Sequence, residues 1–166
     1  MQTRVCRLYG QDDLRIDTEA TLDPIKDEVL VRVGAGGVCG SDMHYYFEGG
    51  IGQIRVREPI ILGHEAAGTI VALGPDVSGL SVGQKVAINP SHPCGTCRYC
   101  QQNLQQHCLN MKFFGSAMPM PHIQGAFRDL VNVGQGQCFA IGDQTDIGRA
   151  ACAEPLAVCL HAVARA

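Results

Sequence analysis

The stretch "GTIVALGPDVSGLSVGQKVAI", Gly68–Ile88, decides the fold class. It opens on an aliphatic and β-branched run, "GTIVALG" (Gly68–Gly74), and closes on another, "KVAI" (Lys85–Ile88). Side chains branched at Cβ fit a pleated, half-buried surface better than a helix. The residues between the runs are turn formers, with Asp76, Ser78 and Gly79 in polar turns. The same pattern recurs further out, in "VLVRV" (Val29–Val33) and "DLVNV" (Asp129–Val133). Short strands separated by Gly, Pro, Asp or Asn predict a mainly β chain, a sheet or barrel with turns at short spacing. No internal repeat interrupts it.

Composition bounds the function. A chain of 166 residues is long enough for one domain with its own core. The net charge of −3 offers no basic surface, so neither nucleic acid nor an anionic membrane is an expected partner. No apolar run approaches the roughly 18 residues of a membrane-spanning helix. The N-terminal "MQTRVCRLYGQDDLRID" lacks the apolar core of a signal peptide. A cytoplasmic protein with reduced thiols is therefore expected. Nine cysteines is an odd number, which points to metal ligands before disulfides.

The texture changes near Asp146. "DIGRAACAEPLAVCLHAVARA" is rich in Ala and Leu and predicts helix. Pro155 suits a first helical turn, so the helix is expected to start near Ala153. It meets the C-terminus with no Gly stop signal. This predicts a domain over 1–150 and a helix over 151–166 that leads toward a further domain.

Four cysteines lie in "CGTCRYCQQNLQQHC": Cys94, Cys97, Cys100 and Cys108, spaced C-x2-C-x2-C-x7-C. Thiolates two residues apart reach one metal from a tight turn, and four of them suit tetrahedral zinc. The rival is an iron–sulfur cluster. Its bacterial pattern ends C-x3-C-P, whereas here the last gap is seven and Leu109 follows. A closed site of four sulfurs holds a loop, about 90–115, and leaves no position for substrate. Chemistry needs other ligands: Cys39 in "GGVCGSDMH", His64 and Glu65 in "LGHEAAG", and Glu154 in "AEPLAVCLH". Three mixed ligands leave a fourth position open. By spacing alone this set is weak. A small packed cysteine and a satisfied structural histidine are the commoner roles for Cys39 and His64.

Taken in order, "GVCGSDMH", "LGHEAAGTIVALG", the four-cysteine lobe and "EPLAVCLHA" resemble the zinc-dependent medium-chain alcohol and polyol dehydrogenases across essentially the whole chain. "CGSDMHYYFEGGIG" with "EPLAV" is similar to the polyol branch, the sorbitol and xylitol dehydrogenases. "INPSHPCGTCRYC" and "FFGSAM" are similar to its L-idonate-oxidising members. The resemblance implies a GroES-like, partly open β-barrel with a zinc lobe and two zinc ions per chain. Cys39 and His64 would be ligands of a catalytic zinc. Glu65 would ligate it or hold its surroundings. Glu154 would bind the zinc, or the water and substrate on it. Ser41 would hydrogen-bond the substrate oxygen, or serve as a helix N-cap with Asp42 in the first turn. His44 would relay the proton to solvent. Tyr45 and Phe127 would line the substrate site, with packing as the alternative for each. The implied reaction is hydride transfer from a small polyol or sugar acid to NAD or NADP, most specifically from C5 of L-idonate to give 5-keto-D-gluconate. A homo-oligomer is implied for the full-length protein.

Neither "GAGGVC" nor "GQGQCF" completes a G-x-G-x-x-G fingerprint, so the cofactor domain is expected beyond the chain end and the chain alone is expected to be inactive. The competing reading is a non-catalytic, zinc-stabilised β-barrel module. Cys6, Cys138, Cys152 and Cys159 are expected to be packing residues. His92, His107, His122 and His161 are expected to be structural. Lys112, Arg55, Arg57 and Arg128 are candidate partners for a substrate carboxylate, with solvated surface the expectation for each.

Overall fold

The computed structural model describes all 166 residues. Strands β1 (Gln2–Gly10), β2 (Asp13–Ala20) and β3 (Glu28–Gly37) lead to helix α1 (Gly40–Glu48). Four strands follow: β4 (Gly50–Ile51), β5 (Ile54–Arg55), β6 (Ile60–Ile61) and β7 (Glu65–Leu73). Next come β8 (Lys85–Ile88), β9 (Ser91–His92), β10 (Lys112–Phe113), β11 (Leu130–Gly134) and β12 (Cys138–Ala140). Helices α2 (Ile147–Ala151) and α3 (Ala153–Arg165) close the chain.

All strand pairs are antiparallel. The main sheet has the order β11-β3-β7-β8-β12, and a second has the order β2-β1-β6. A bridge between Val5 and Arg128 joins them, with Cys6 N–H donating to Phe127 O at 2.8 Å and Asp129 N–H to Arg4 O at 2.9 Å. Two sheets tied along one seam make a partly open barrel, as the strand pattern and the resemblance both predict.

The core follows from period-two alternation. Val29 and Val31 on β3, Ile70 on β7, Val86 and Ile88 on β8, and Val131 and Val133 on β11 share one buried cluster. Each such side chain is worth about 1.5–3 kcal/mol in burial. A smaller cluster joins Leu8, Ile60, Leu62 and Ala117 to Tyr45 of α1, which seats that helix beside the barrel. Gly63 allows this packing. It sits at φ +90°, and an added Cβ would overlap the Phe127 ring.

Some expectations are corrected. The β1–β2 hairpin was not legible because its charged Arg7, Asp17 and Glu19 turn inward, half-buried, while Leu14 and Ile16 face out. Arg7 pairs with Asp17 at 3.0 Å and with Glu19. Arg128 is not solvated surface. It lies under this hairpin, 3.4 Å from Glu19 and donating to Gly125 O at 3.1 Å, and burial lowers its pKa. Lys112, Arg55 and Arg57 are exposed as expected. The C-terminal helix is two helices. Asp146 caps α2, its carboxylate accepting from Arg149 N–H at 2.9 Å, while Ala150 and Ala151 pack on Ala67 of β7. Cys152 and Cys159 are exposed, so they are not packing residues, whereas Cys6 and Cys138 are half-buried. Helix α3 begins at Ala153 as predicted, and none of its residues is buried. No helix is long and apolar enough to cross a membrane.

Candidate metal centre

The sulfur atoms of Cys94, Cys97, Cys100 and Cys108 all lie within 4.8 Å of one another. Zinc at about 2.3 Å from each sulfur would set tetrahedral neighbours about 3.8 Å apart, so this spread fits the ion. Cys97 and Cys100 are already 3.5 Å apart, and Cys108 Sγ accepts N–H bonds from Cys94 (3.2 Å) and Asn110 (3.4 Å). The lobe carrying them has little regular structure: two single 3-10 turns and the two-residue β9–β10 ribbon. The thiols also differ. Backbone N–H groups of Thr96 and Cys97 pull Cys94 down to about 5, whereas burial pushes Cys100 up to about 12. A dication would bind the four sulfurs as thiolates and offset their charge.

A second group is built by strand ends. β3 and β7 are neighbours, and the last residue of β3, Gly37, pairs with the first of β7, Glu65. The chain leaving β3 therefore puts Cys39 beside His64, which precedes β7. The result is a Cys39–His64–Glu65 set with ligand atoms within 4.8 Å of one another. His64 is buried and Cys39 and Glu65 half-buried. Phe113 of β10 walls the site, its ring centroid 5.3 Å from that of His64. Sulfur, imidazole and carboxylate fit an open zinc site, with three protein ligands and room for a fourth partner.

Glu154 lies outside this set of three yet within its field. Burial raises its carboxyl pKa, the His64 ring acts against that, and the Glu65 carboxylate adds to it. It lines an apolar cleft of about 690 Å³ together with Ile88, Pro90, Phe139, Val158 and His161.

Asp42 is the residue whose role the sequence reading missed. It is 3 % exposed, yet one carboxylate oxygen accepts from Cys39 N–H at 2.9 Å and the other from Gly63 N–H at 3.1 Å. It also lies 3.9 Å from His64 Nδ1. One carboxylate thus ties together the two segments that carry the ligands. Cys39, not Ser41, occupies the N-cap position of α1, and Asp42 takes N3, from where it reaches back to the cap. The "CGSD" spacing held that signal. Asp42→Asn keeps a neutral acceptor for one N–H and sets an amide NH2, itself a donor, against the other. Metal affinity of the Cys39 set is expected to fall about 10–100-fold, measured by competition with a chelator.

The remaining predicted residues separate. Ser41 is half-buried in the first turn of α1. His44 is exposed, its Nδ1 2.8 Å from Glu48 Oε1 one turn on. Tyr45 is 5 % exposed, and its hydroxyl accepts from Ala117 N–H at 3.2 Å. Phe127 packs beside Gly63 and Gly36. Neither Tyr45 nor Phe127 belongs to the metal-ligating set. Among the other histidines, His122 is buried with both ring nitrogens engaged, Nε2 by Arg57 N–H at 2.9 Å and Nδ1 by Pro119 O at 2.8 Å.

Comparison with known proteins decides the family. The model for the alcohol dehydrogenase GroES-like domain matches residues 25–143. The chain belongs to this family. The chain is 42 % identical to L-idonate 5-dehydrogenase (NAD(P)(+)) of Escherichia coli K12 over 166 residues, all of this chain and 48 % of that protein. It is 39 % identical to a sorbitol dehydrogenase of Bacillus subtilis over 158 residues, 95 % of this chain and 44 % of that one. The crystal structure of the E. coli L-idonate 5-dehydrogenase superposes with a TM-score of 0.92 at 41 % identity, covering 98 % of this chain and 46 % of that one. The chain thus spans about half the length of the curated relatives it matches. A GroES-like dehydrogenase barrel with an open-sided ligand set is the architecture that the sequence motifs predict.

Proposed function

We propose that the full-length protein is a zinc-dependent NAD(P) dehydrogenase of polyols or sugar acids, acting on L-idonate at C5 to give 5-keto-D-gluconate. The observation that carries this is the Cys39–His64–Glu65 set, three mixed ligand atoms within 4.8 Å of one another, on a barrel of the alcohol dehydrogenase GroES-like family. The domain over 1–150 would hold both metals: one in the Cys94, Cys97, Cys100 and Cys108 lobe, one on the Cys39 set. When bound on the Cys39 set, zinc supplies the Lewis acidity that lets an alcohol lose its proton near neutral pH. A bound nicotinamide would supply the hydride acceptor, with one proton released to solvent.

The protein's own groups do the rest. Cys39 and His64 fix the site, with Asp42 holding both their segments. Ser41, two residues after Cys39, hydrogen-bonds the substrate hydroxyl and relays its proton, accepting it while giving up its own hydroxyl proton toward His44. His44 passes that proton outward, with Glu48 steadying its ring. Glu154, on α3, would bind the zinc or orient the water and substrate on it. The pocket of Tyr45 and Phe127 gives α1 a rigid seat, so that Ser41 is held in place. The segment over 151–166, which carries α3, would lead toward a nucleotide-binding domain.

The test is a substrate panel on the full-length protein with NAD and NADP: L-idonate, D-sorbitol and xylitol. L-idonate is expected to give the highest kcat/KM. A preference for sorbitol or xylitol would move the protein to the polyol branch. No turnover with any of the three would remove the assignment.

A further inference from the structure

We infer that Gly37 is the positioning residue that lets the Glu65 carboxylate reach the metal set. This rests on the reading that Cys39, His64 and Glu65 hold a metal. Gly37 ends β3 and pairs directly with Glu65, the first residue of β7. In most antiparallel pairs two facing side chains stand side by side above the sheet. Here one side chain is absent, and the other lies across the vacant space. A Cβ built on Gly37 would fall on Glu65 Oε2 and would stand 3.0 Å from both Cβ and Cδ of Glu65. Glu65 can therefore fold its carboxylate toward Cys39 and His64 only over a glycine.

The backbone does not need glycine at this position. Gly37 is not among the residues with positive φ, so an L-residue fits its dihedrals without strain. The three atoms nearest an added Cβ all belong to the Glu65 side chain. Gly36, its neighbour, is different: a Cβ there would meet Phe127 at 3.5 Å and Glu65 O at 3.6 Å, ordinary contact distances. The two adjacent glycines separate a steric demand of the site from the general softness of a glycine-rich strand end. Alanine at 37 is expected to be accommodated by the fold and to turn the Glu65 carboxylate out of the ligand set.

The experiment uses the full-length protein with cobalt at the open site, read by thiolate-to-cobalt absorption. The part of that absorption lost in Cys39→Ser belongs to the Cys39 set. Gly37→Ala is expected to weaken cobalt binding there at least about tenfold. Metal content of the Cys94–Cys108 lobe should stay unchanged, which shows that the variant is folded, and Gly36→Ala should bind as the parent does. In a Glu65→Ala background the effect of Gly37→Ala should vanish, because no carboxylate remains to displace. Parent-like affinity in Gly37→Ala would overturn the inference, as would an equal loss in the Glu65→Ala background. Cobalt absorption unchanged by Cys39→Ser would instead overturn the metal-site reading, and the Gly37 inference with it.

Discussion

Cys39→Ser in the full-length protein is expected to lower the zinc content from two ions per chain to one and to reduce alcohol oxidation at least about a thousandfold. The magnitude follows from the several kcal/mol that a Lewis acid contributes to stabilising developing oxyanion charge, at 1.36 kcal/mol per tenfold. Serine keeps the size and removes the soft anionic ligand, so the change is chemical and leaves packing alone. Cys39 is the N-cap residue of α1, and the Asp42 carboxylate that caps the helix receives the backbone N–H of residue 39, not its side chain. The helix is therefore expected to survive the substitution. Elemental analysis and a steady-state assay on one preparation read both effects. Two zinc ions retained in the variant, with activity intact, would mean that Cys39 is no ligand.

Cys100→Ala is expected to loosen the four-cysteine lobe while leaving the barrel folded. Cys100 is the buried member of the four thiols, 7 % exposed. The lobe has no hydrophobic cluster of its own; the three buried clusters all lie in the barrel and its flanking helices. Its ends are anchored well. Asn89 exchanges hydrogen bonds with Gln137, at 2.8 and 2.9 Å, and Phe114 packs on the main core. Between these anchors the metal replaces the core, as it does in small zinc domains. Trypsin cleavage after Arg98 is expected to rise at least about a hundredfold, corresponding to about 2.7 kcal/mol of lost local stability. Far-ultraviolet circular dichroism should change little. Equal cleavage of parent and variant would show that hydrogen bonds alone hold the lobe.

The sequence by itself determined much of this protein. β-branched runs bounded by turn formers marked β3, β7, β8 and β11, the four strands that supply the largest buried cluster, because alternation and turn chemistry are local properties. The cysteine spacing marked the lobe because those ligands are close in sequence. Pro155 marked the start of α3 for the same reason. What the tertiary structure alone decided is the open site. Cys39 and His64 are 25 positions apart, and only the β3–β7 pairing puts their strand ends together. Asp42 read as a first-turn acid, and burial made it the tie between two ligand segments. Gly37 read as one glycine among many until a carboxylate was found lying across it. The β1–β2 hairpin stayed hidden because β2 reverses the usual rule: its charged Asp17 and Glu19 are half-buried while Leu14 and Ile16 are exposed, and only the fold shows Arg7, Asp17, Glu19 and Arg128 meeting on one face. Local rules see residues that act through their own backbone. A site assembled from strand ends depends on register, and register is a property of the whole sheet.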